Sequence, residues 1–419
     1  MRRPSHNGPS EPQLHYKAPN PNTLRLTRTN QVEDDFDEAE SGVGALAAFL
    51  IVSFYSVVAG WVLYYAGIMG GDLVQAILAG DPFRGALAGE SQDQIQQRLS
   101  DMFASPGLLL GVHFVFMGLT LYIVARGVSS GIEKAATYLM PMFFVLLVGL
   151  VLYGAIEGDI GQAAAFLFTP DWSKLTPQVM NSALGQALFS LSLGVAGLIT
   201  YGSYIKEGSG LGPTSALIAV ADTCVALLAG LMIFPIVFAV GLDPAAGPTL
   251  VFQTLPFAFQ TMPGGALFGF LFFVLILVAA VTSSISLLEV PTAWGIGERG
   301  WSRPKSALIF GGGAFLMGIA CLLGYNVWAD VRPLGFWSLF ADTDILDTVD
   351  GFTGKVMLPV GALLTSIFIG WKADKNLLLT TTGLSPLAFG IWRFLIAWLC
   401  PLAVAIILAT GLFPSILGT

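Results

Sequence analysis

Ser190, Ser192 and Gly194 occupy alternate positions in "QALFSLSLGVAGLITYGSY", from Gln186 to Tyr204, a stretch apolar enough to cross a membrane. Alternate residues cannot share one helical face, because a face repeats every three or four residues. A helix unwound here would turn both hydroxyls and its freed carbonyls into a cavity. Hard cations such as Na⁺ take neutral oxygen ligands of this kind. Irregular backbone at mid-membrane is tolerated where it lines a cavity or is buried in protein. The same small residues also suit close helix crossing.

A second cluster lies in "VAAVTSSISLLE", from Val278 to Glu289. Ala279, Thr282 and Ser283 fall at i, i+3, i+4 and share one face. A carbonyl with two hydroxyls a turn later makes part of a cation cage. Glu289 follows, and Asp222 stands in "IAVADTCVALLAG". A carboxylate inside a span needs a cation, a partner or water, so both are functional candidates. Tyr55, in "LIVSFYSVVAGW", carries a hydroxyl that needs either a neighbouring helix or a substrate carboxylate. Asp347 and Asp350 flank the outer end of a later span and read as interfacial.

The elements that position these residues are membrane spans. The 419 residues are 55% hydrophobic and 11% charged. A soluble chain carries roughly 25% charged residues. Mean hydropathy is +0.75. The class is an all-α polytopic membrane protein. The runs are apolar all round, which excludes an outer-membrane barrel. At roughly 20 apolar residues per span, about nine spans lie near 43–66, 106–126, 135–156, 178–205, 214–241, 264–290, 304–325, 352–371 and 386–412. Residues 1–41 form a polar tail, expected to be disordered, 42–412 the membrane domain, and 413–419 a short end. No nucleophile motif, metal cluster or nucleotide loop is present, so an enzyme is not expected, nor a cofactor. The net charge of −8 is spread over loops and does not suggest nucleic acid. Cys224, Cys321, Cys400 and His113 read as packing residues.

Lys and Arg set the orientation. With the tail inside, inner loops hold Arg126, Lys134, Lys206, Arg299, Arg303, Lys305, Lys372 and Lys375. Outer loops hold Arg84, Arg98, Lys174 and Arg332 among more acidic residues. The expected topology is a multi-pass plasma (inner) membrane protein with a cytoplasmic N-terminus. In the outer loops, "SQDQIQQRLSDMF" reads as a short amphipathic helix. "GPTLVFQTLPFAFQTMPGG" suits a re-entrant hairpin or a packed loop.

Taken together, "SFYSVVAGW", "ARGVSSGIEK", "QALFSLSLGVAGLITYGSY", "ADTCVALLAG", "PGGALFGFLFF", "VTSSISLLE" and "LPVGALL" resemble the neurotransmitter:sodium symporter family, in its bacterial branch. The likeness runs in order from about Gly42 to Leu412. It implies sodium-coupled symport of an amino acid or related amine by alternating access. Sodium would be the coupling ion. The partners would be the substrate and the bilayer, and a homo-oligomer is left open. It places the Gln186–Tyr204 stretch on the family's unwound sixth helix. Ser190 and Asp222 would serve one sodium site. Ala279, Thr282 and Ser283 would serve the other. Asp222 supplies negative charge directly, which favours chloride independence. Tyr55 would bond the substrate carboxylate. Ile51, Phe189, Ser192, Val195, Ser283 and Leu287 would line the substrate pocket. Gln186 and Asp350 would belong to the outer gate.

By this register the first span corresponds to the family's third helix, giving an incomplete inverted-repeat fold. The family's first two helices have no counterpart in these residues. Its first, broken helix supplies ligands to both sodium sites and donors to the substrate carboxylate. The chain by itself is therefore expected to transport poorly. The other reading is a non-transporting membrane protein that binds a small amino acid or a partner protein.

Overall fold

The computed structural model describes residues 31–204, 211–244 and 250–413, with side chains from residue 42 onward. The polar tail to residue 30, Lys206, the start of the outer Pro- and Gly-rich segment, and the end from residue 414 lie outside the described residues.

Eight helical stretches are long and apolar enough to cross a membrane among the described residues. The first is α1 (Gln31–Leu78). It starts earlier than the apolar run that predicts it. Its apolar stretch is 67% buried. A short amphipathic helix, α2 (Gln92–Phe103), follows, as its sequence predicts. Ser91 and Gln94 form a capping box at its start, and Ile95, Leu99 and Met102 are its buried stripe. Next come α3 (Pro106–Ala125) and α4 (Lys134–Glu157), joined by one wide turn over Val128–Glu133. A shorter α5 (Ile160–Phe168) is capped by Asp159, whose Oδ1 accepts the Gln162 amide at 2.9 Å.

The predicted span at 178–205 is the exception to continuous helix. It divides into α6 (Pro177–Ser190) and α7 (Gly197–Gly202). Neither piece alone spans a bilayer core of about 30 Å at 1.5 Å per residue. Nine predicted spans thus become eight continuous ones and one broken one.

Beyond it, α8 (Leu211–Ala239) is long but buries only 6% of its most apolar stretch against the described residues. The outer segment resolves into short helix, α9 (Leu255–Thr261), packed through Phe252, Leu255, Ala258 and Phe259. Gln260 fixes it to the loop after α1, donating to the carbonyls of Leu87 and Glu90 at 3.1 and 2.7 Å. Within the described residues it is a packed helical segment with its own buried core.

The other long, well-buried helix beside α1 is α10 (Gly265–Arg299), which packs on α3, on α4 and on α11 (Arg303–Leu323). The last part of the chain holds α12 (Ile345–Phe352) and α13 (Leu358–Ile367), continuous through a wide turn. A short α14 (Lys375–Thr382) leads to α15 (Pro386–Phe394) and α16 (Cys400–Leu412).

Side-chain contacts sort the loops to two ends. At one end Arg303 reaches the Val124 carbonyl at 3.4 Å, joining the end of α3 to the start of α11. At the other, Arg84 pairs with Asp72 at 2.7 Å, and Tyr153 donates to the Pro263 carbonyl at 3.0 Å. Asn326 donates to the Phe103 carbonyl at 2.9 Å there. Arg126 shares the end of the Arg303 contact, since its neighbour Gly127 sits against the Arg303 side chain.

Candidate functional site

The break in the sixth span is built by backbone sign changes. Ser192, Gly194 and Ala196 have φ of +53°, +87° and +54°. Three left-handed residues on alternate positions prevent any continuous helix. Gly194 is held against the start of α13. A Cβ at Gly194 would lie 2.2 Å from the Leu358 carbonyl oxygen, and one at Gly361 would lie 2.3 Å from the Gly194 oxygen. Both glycines are needed for this backbone-to-backbone approach. Gly194→Ala is expected to destabilise the protein by at least about 2 kcal/mol, through left-handed strain plus displacement of α13. Thermal unfolding of the purified variant checks this, and an unchanged midpoint would contradict the approach.

Around the break lies a cavity of about 560 Å³. Every residue that the family resemblance gives to the substrate pocket lines it: Ile51, Tyr55, Phe189, Ser192, Val195, Ser283 and Leu287. Ser190 and Thr282 line it too. The walls come from α1, the broken span, α10 and the start of α13. The third span adds Ile132, Ala136 and Met140. Those three were not legible beforehand, since a helix apolar all round gives no sign of which face meets a cavity. A largely apolar chamber with a few hydroxyls is the usual make-up of a small-molecule site.

Two oxygen clusters border this cavity. The Ser190 hydroxyl donates to Asp222 Oδ2 at 3.1 Å, bridging the end of α6 to α8. Asp222 itself does not line the cavity. The negative end of the α6 dipole falls at Ser190, which favours positive charge there. A carboxylate, a hydroxyl and helix-end carbonyls suit Na⁺. In the second cluster the Thr282 hydroxyl donates to the carbonyls of Ala279 and Val278 at 2.9 and 3.2 Å. Its oxygen keeps lone pairs for a cation, and Ser283 is exposed beside it. Tyr55 and Ser283 both line the cavity.

Gln186 and Asp350 are exposed on α6 and α12, and no hydrogen bond joins them among the described residues. His113 packs in place, its ring stacked on Phe315 at 4.8 Å and its Nε2 at 3.2 Å from the Phe315 carbonyl.

Beneath the cavity the structure assembles a network that the separate sequence segments do not reveal. Tyr201 donates to Ser286 at 3.2 Å. Tyr204 donates to Glu289 Oε1 at 2.6 Å. Arg303 grips both Glu289 oxygens at 2.7 Å, and Glu289 is fully buried. The carboxylate therefore links the end of the broken span to α10 and α11. Glu289 stands out in sequence as an ionisable residue in a span. Its partners do not, because they lie in other segments.

Residues 93–328 match the Sodium:neurotransmitter symporter family, more than half of the chain. The chain belongs to the sodium:neurotransmitter symporter family. This is a family of sodium-coupled transporters and not of enzymes. The chain is 38% identical over 370 residues to a sodium-dependent transporter of Bacillus subtilis, covering 87% of this chain and 77% of the relative. It is 34% identical over 377 residues to a sodium-dependent transporter of Haemophilus influenzae, covering 88% and 78%. Among solved structures it is similar to MhsT in complex with L-phenylalanine, with a TM-score of 0.76 and 36% identity, covering 89% of this chain and 81% of that one. The symporter fold accounts for the helical class, the broken span and the central place of α1 and α10.

Proposed function

We propose that this chain carries the substrate cavity of a Na⁺-coupled amino-acid symporter that works by alternating access. The observation that carries the reading is the chamber at the unwound span, lined by apolar side chains and hydroxyls and bordered by the Ser190–Asp222 pair. One sodium ion is held by Ser190 and Asp222. A second is held by the Ala279 carbonyl with Thr282 and Ser283. Tyr55 and Ser283 take polar atoms of the substrate. Ile51, Phe189, Val195 and Leu287 take an apolar or aromatic side chain, and Ser192 lies at the break beside it. The likeness to MhsT with bound L-phenylalanine supports the aromatic class. A relative named sodium-dependent nutrient amino acid transporter 1, from Drosophila melanogaster, supports an amino-acid substrate; it is 29% identical over 277 residues, covering 62% of this chain and 40% of the relative. Gln186 and Asp350 act at the outer gate and approach one another as the cavity closes. The protein sits in the plasma membrane with its N-terminus inside, a reading supported by the distribution of Lys and Arg among its loops.

The oxygen groups gathered by these residues are few for two dehydrated cations. Ser190 and Asp222 are both accessible from outside the chain, and α8 leaves nearly all of its apolar stretch uncovered. Transport carried by these residues alone is accordingly expected to be weak. Reconstituted vesicles test this with labelled phenylalanine under an inward Na⁺ gradient. Two forms are compared, residues 1–419 and a longer form extended with the part of the Bacillus subtilis relative that this chain does not cover. Na⁺-driven uptake by the longer form, well above the shorter, is the expected result. Robust uptake by residues 1–419 alone would overturn the impairment. Substrate binding without uptake by either form would favour a non-transporting binding protein.

A further inference from the structure

A second cavity, of about 630 Å³, lies where the span that ends at Lys372 meets the start of the final one. Gly370, Trp371, Lys375, Phe389, Arg393 and Trp398 line it. It is separate from the substrate chamber and shares no residue with it. Arg393 is anchored by two carbonyls, with Nε donating to Gly370 at 3.2 Å and Nη2 to Ala373 at 3.4 Å. Its Nη1 is buried with no acceptor. None of the ion pairs among the described residues involves Arg393, Lys372 or Lys375. The nearby Asp374 is committed to its own helix, its Oδ1 accepting the amides of Asn376 and Leu377 at 2.9 and 2.8 Å. Among the described residues no carboxylate forms an ion pair with Arg393 or Lys375.

The rest of the cavity is shaped for an amphiphile. Trp371 and Trp398 pack with ring centroids 5.1 Å apart, and Trp371 donates to the Ala397 carbonyl at 2.8 Å. Both are more than half exposed, as indoles at a membrane–water boundary are. From the cavity an exposed apolar row leads away along the final span at intervals of four: Phe394, Trp398, Leu402 and Ile406. These residues follow one helical face. A cationic pocket at the boundary continued by an apolar row matches an acidic headgroup and its acyl chain.

We propose that this cavity binds the phosphate of an anionic phospholipid in the leaflet facing this end of the bundle. A phosphate oxygen gives Arg393 Nη1 the acceptor it lacks, Lys375 adds a second charge, and the acyl chain lies along the Phe394–Ile406 row. Basic pockets between spans at the boundary recruit acidic lipids in this way. The full chain is taken from nanodiscs containing equal phosphatidylglycerol and phosphatidylcholine, and retained lipid is measured by native mass spectrometry. Wild-type protein is expected to retain phosphatidylglycerol in preference. Lys375→Glu, an exposed change that spares the fold, is expected to lower that preference about fivefold. Lys305→Glu, a change at a basic residue outside the cavity, should leave it unchanged. Arg393→Gln should lower it further, while Lys375→Glu guards against a folding defect in that variant. Equal retention by wild type and Lys375→Glu would overturn the site. Displacement of the lipid by excess inorganic phosphate, with no preference left, would overturn its assignment to a lipid.

Discussion

Asp222→Ala is expected to remove most of the Na⁺ dependence of substrate binding, raising the Na⁺ requirement at least about tenfold. Asp222 is the charged member of the oxygen pair at the end of α6, with Ser190 donating to it at 3.1 Å. A carboxylate inside a span is costly unless something positive meets it. No Lys or Arg side chain forms an ion pair with Asp222 among the described residues. A cation shared with Ser190 and the end of α6 supplies the missing positive charge. Asp222→Asn keeps the size and a carbonyl oxygen, so it should fall between wild type and Asp222→Ala. The Na⁺ titration of labelled phenylalanine binding reads this directly. An unchanged Na⁺ midpoint in Asp222→Ala would remove Asp222 from the site.

Arg303→Ala should produce the largest loss of stability among these variants, about 3–5 kcal/mol, because it strands a buried carboxylate. Glu289 has no exposed surface, and Arg303 meets both of its oxygens at 2.7 Å. Tyr204 can donate only one hydrogen bond and cannot replace the charge. The double change Arg303→Met with Glu289→Gln removes both charges and should recover much of the loss. Tyr204 lies just beyond α7, so the pair also ties the lower half of the broken span to α10 and α11. Cysteine labelling near Tyr204 from that end should therefore rise in Arg303→Ala. A thermal midpoint within a degree or two of wild type would mean that the pair is solvated and does not close this end.

The membrane class and the spans were legible because an apolar run long enough to cross lipid leaves few alternatives. The spacing of Ser190, Ser192 and Gly194 left a broken span and close helix crossing both open, and the family resemblance favoured the break. The contact that packs the break was hidden. It is a close backbone approach between Gly194 and Gly361, residues far apart in the chain that no local pattern links. The cavity walls from α1, α6 and α10 followed from the family resemblance. Ile132, Ala136 and Met140 did not, because apolar residues read alike whether they face lipid, a neighbouring helix or a cavity. Glu289 announced itself as a carboxylate in a span, but its bond to Arg303 depends on how α10 turns back into α11. The second cavity was hidden for the same reason: Lys375 reads as an inner-loop charge, and nothing local links it to Arg393 until the approach of Gly370 to Ala397 brings their helices together.

The central claim is that sodium and an amino acid meet at the unwound turn. The most direct test is equilibrium binding of labelled phenylalanine to the purified longer form, in Na⁺ and in K⁺ at equal ionic strength. Saturable binding in Na⁺, lost in K⁺ and shifted to higher Na⁺ by Asp222→Ala, is the predicted result. Equal binding in both ions, unaffected by Asp222→Ala, would contradict it.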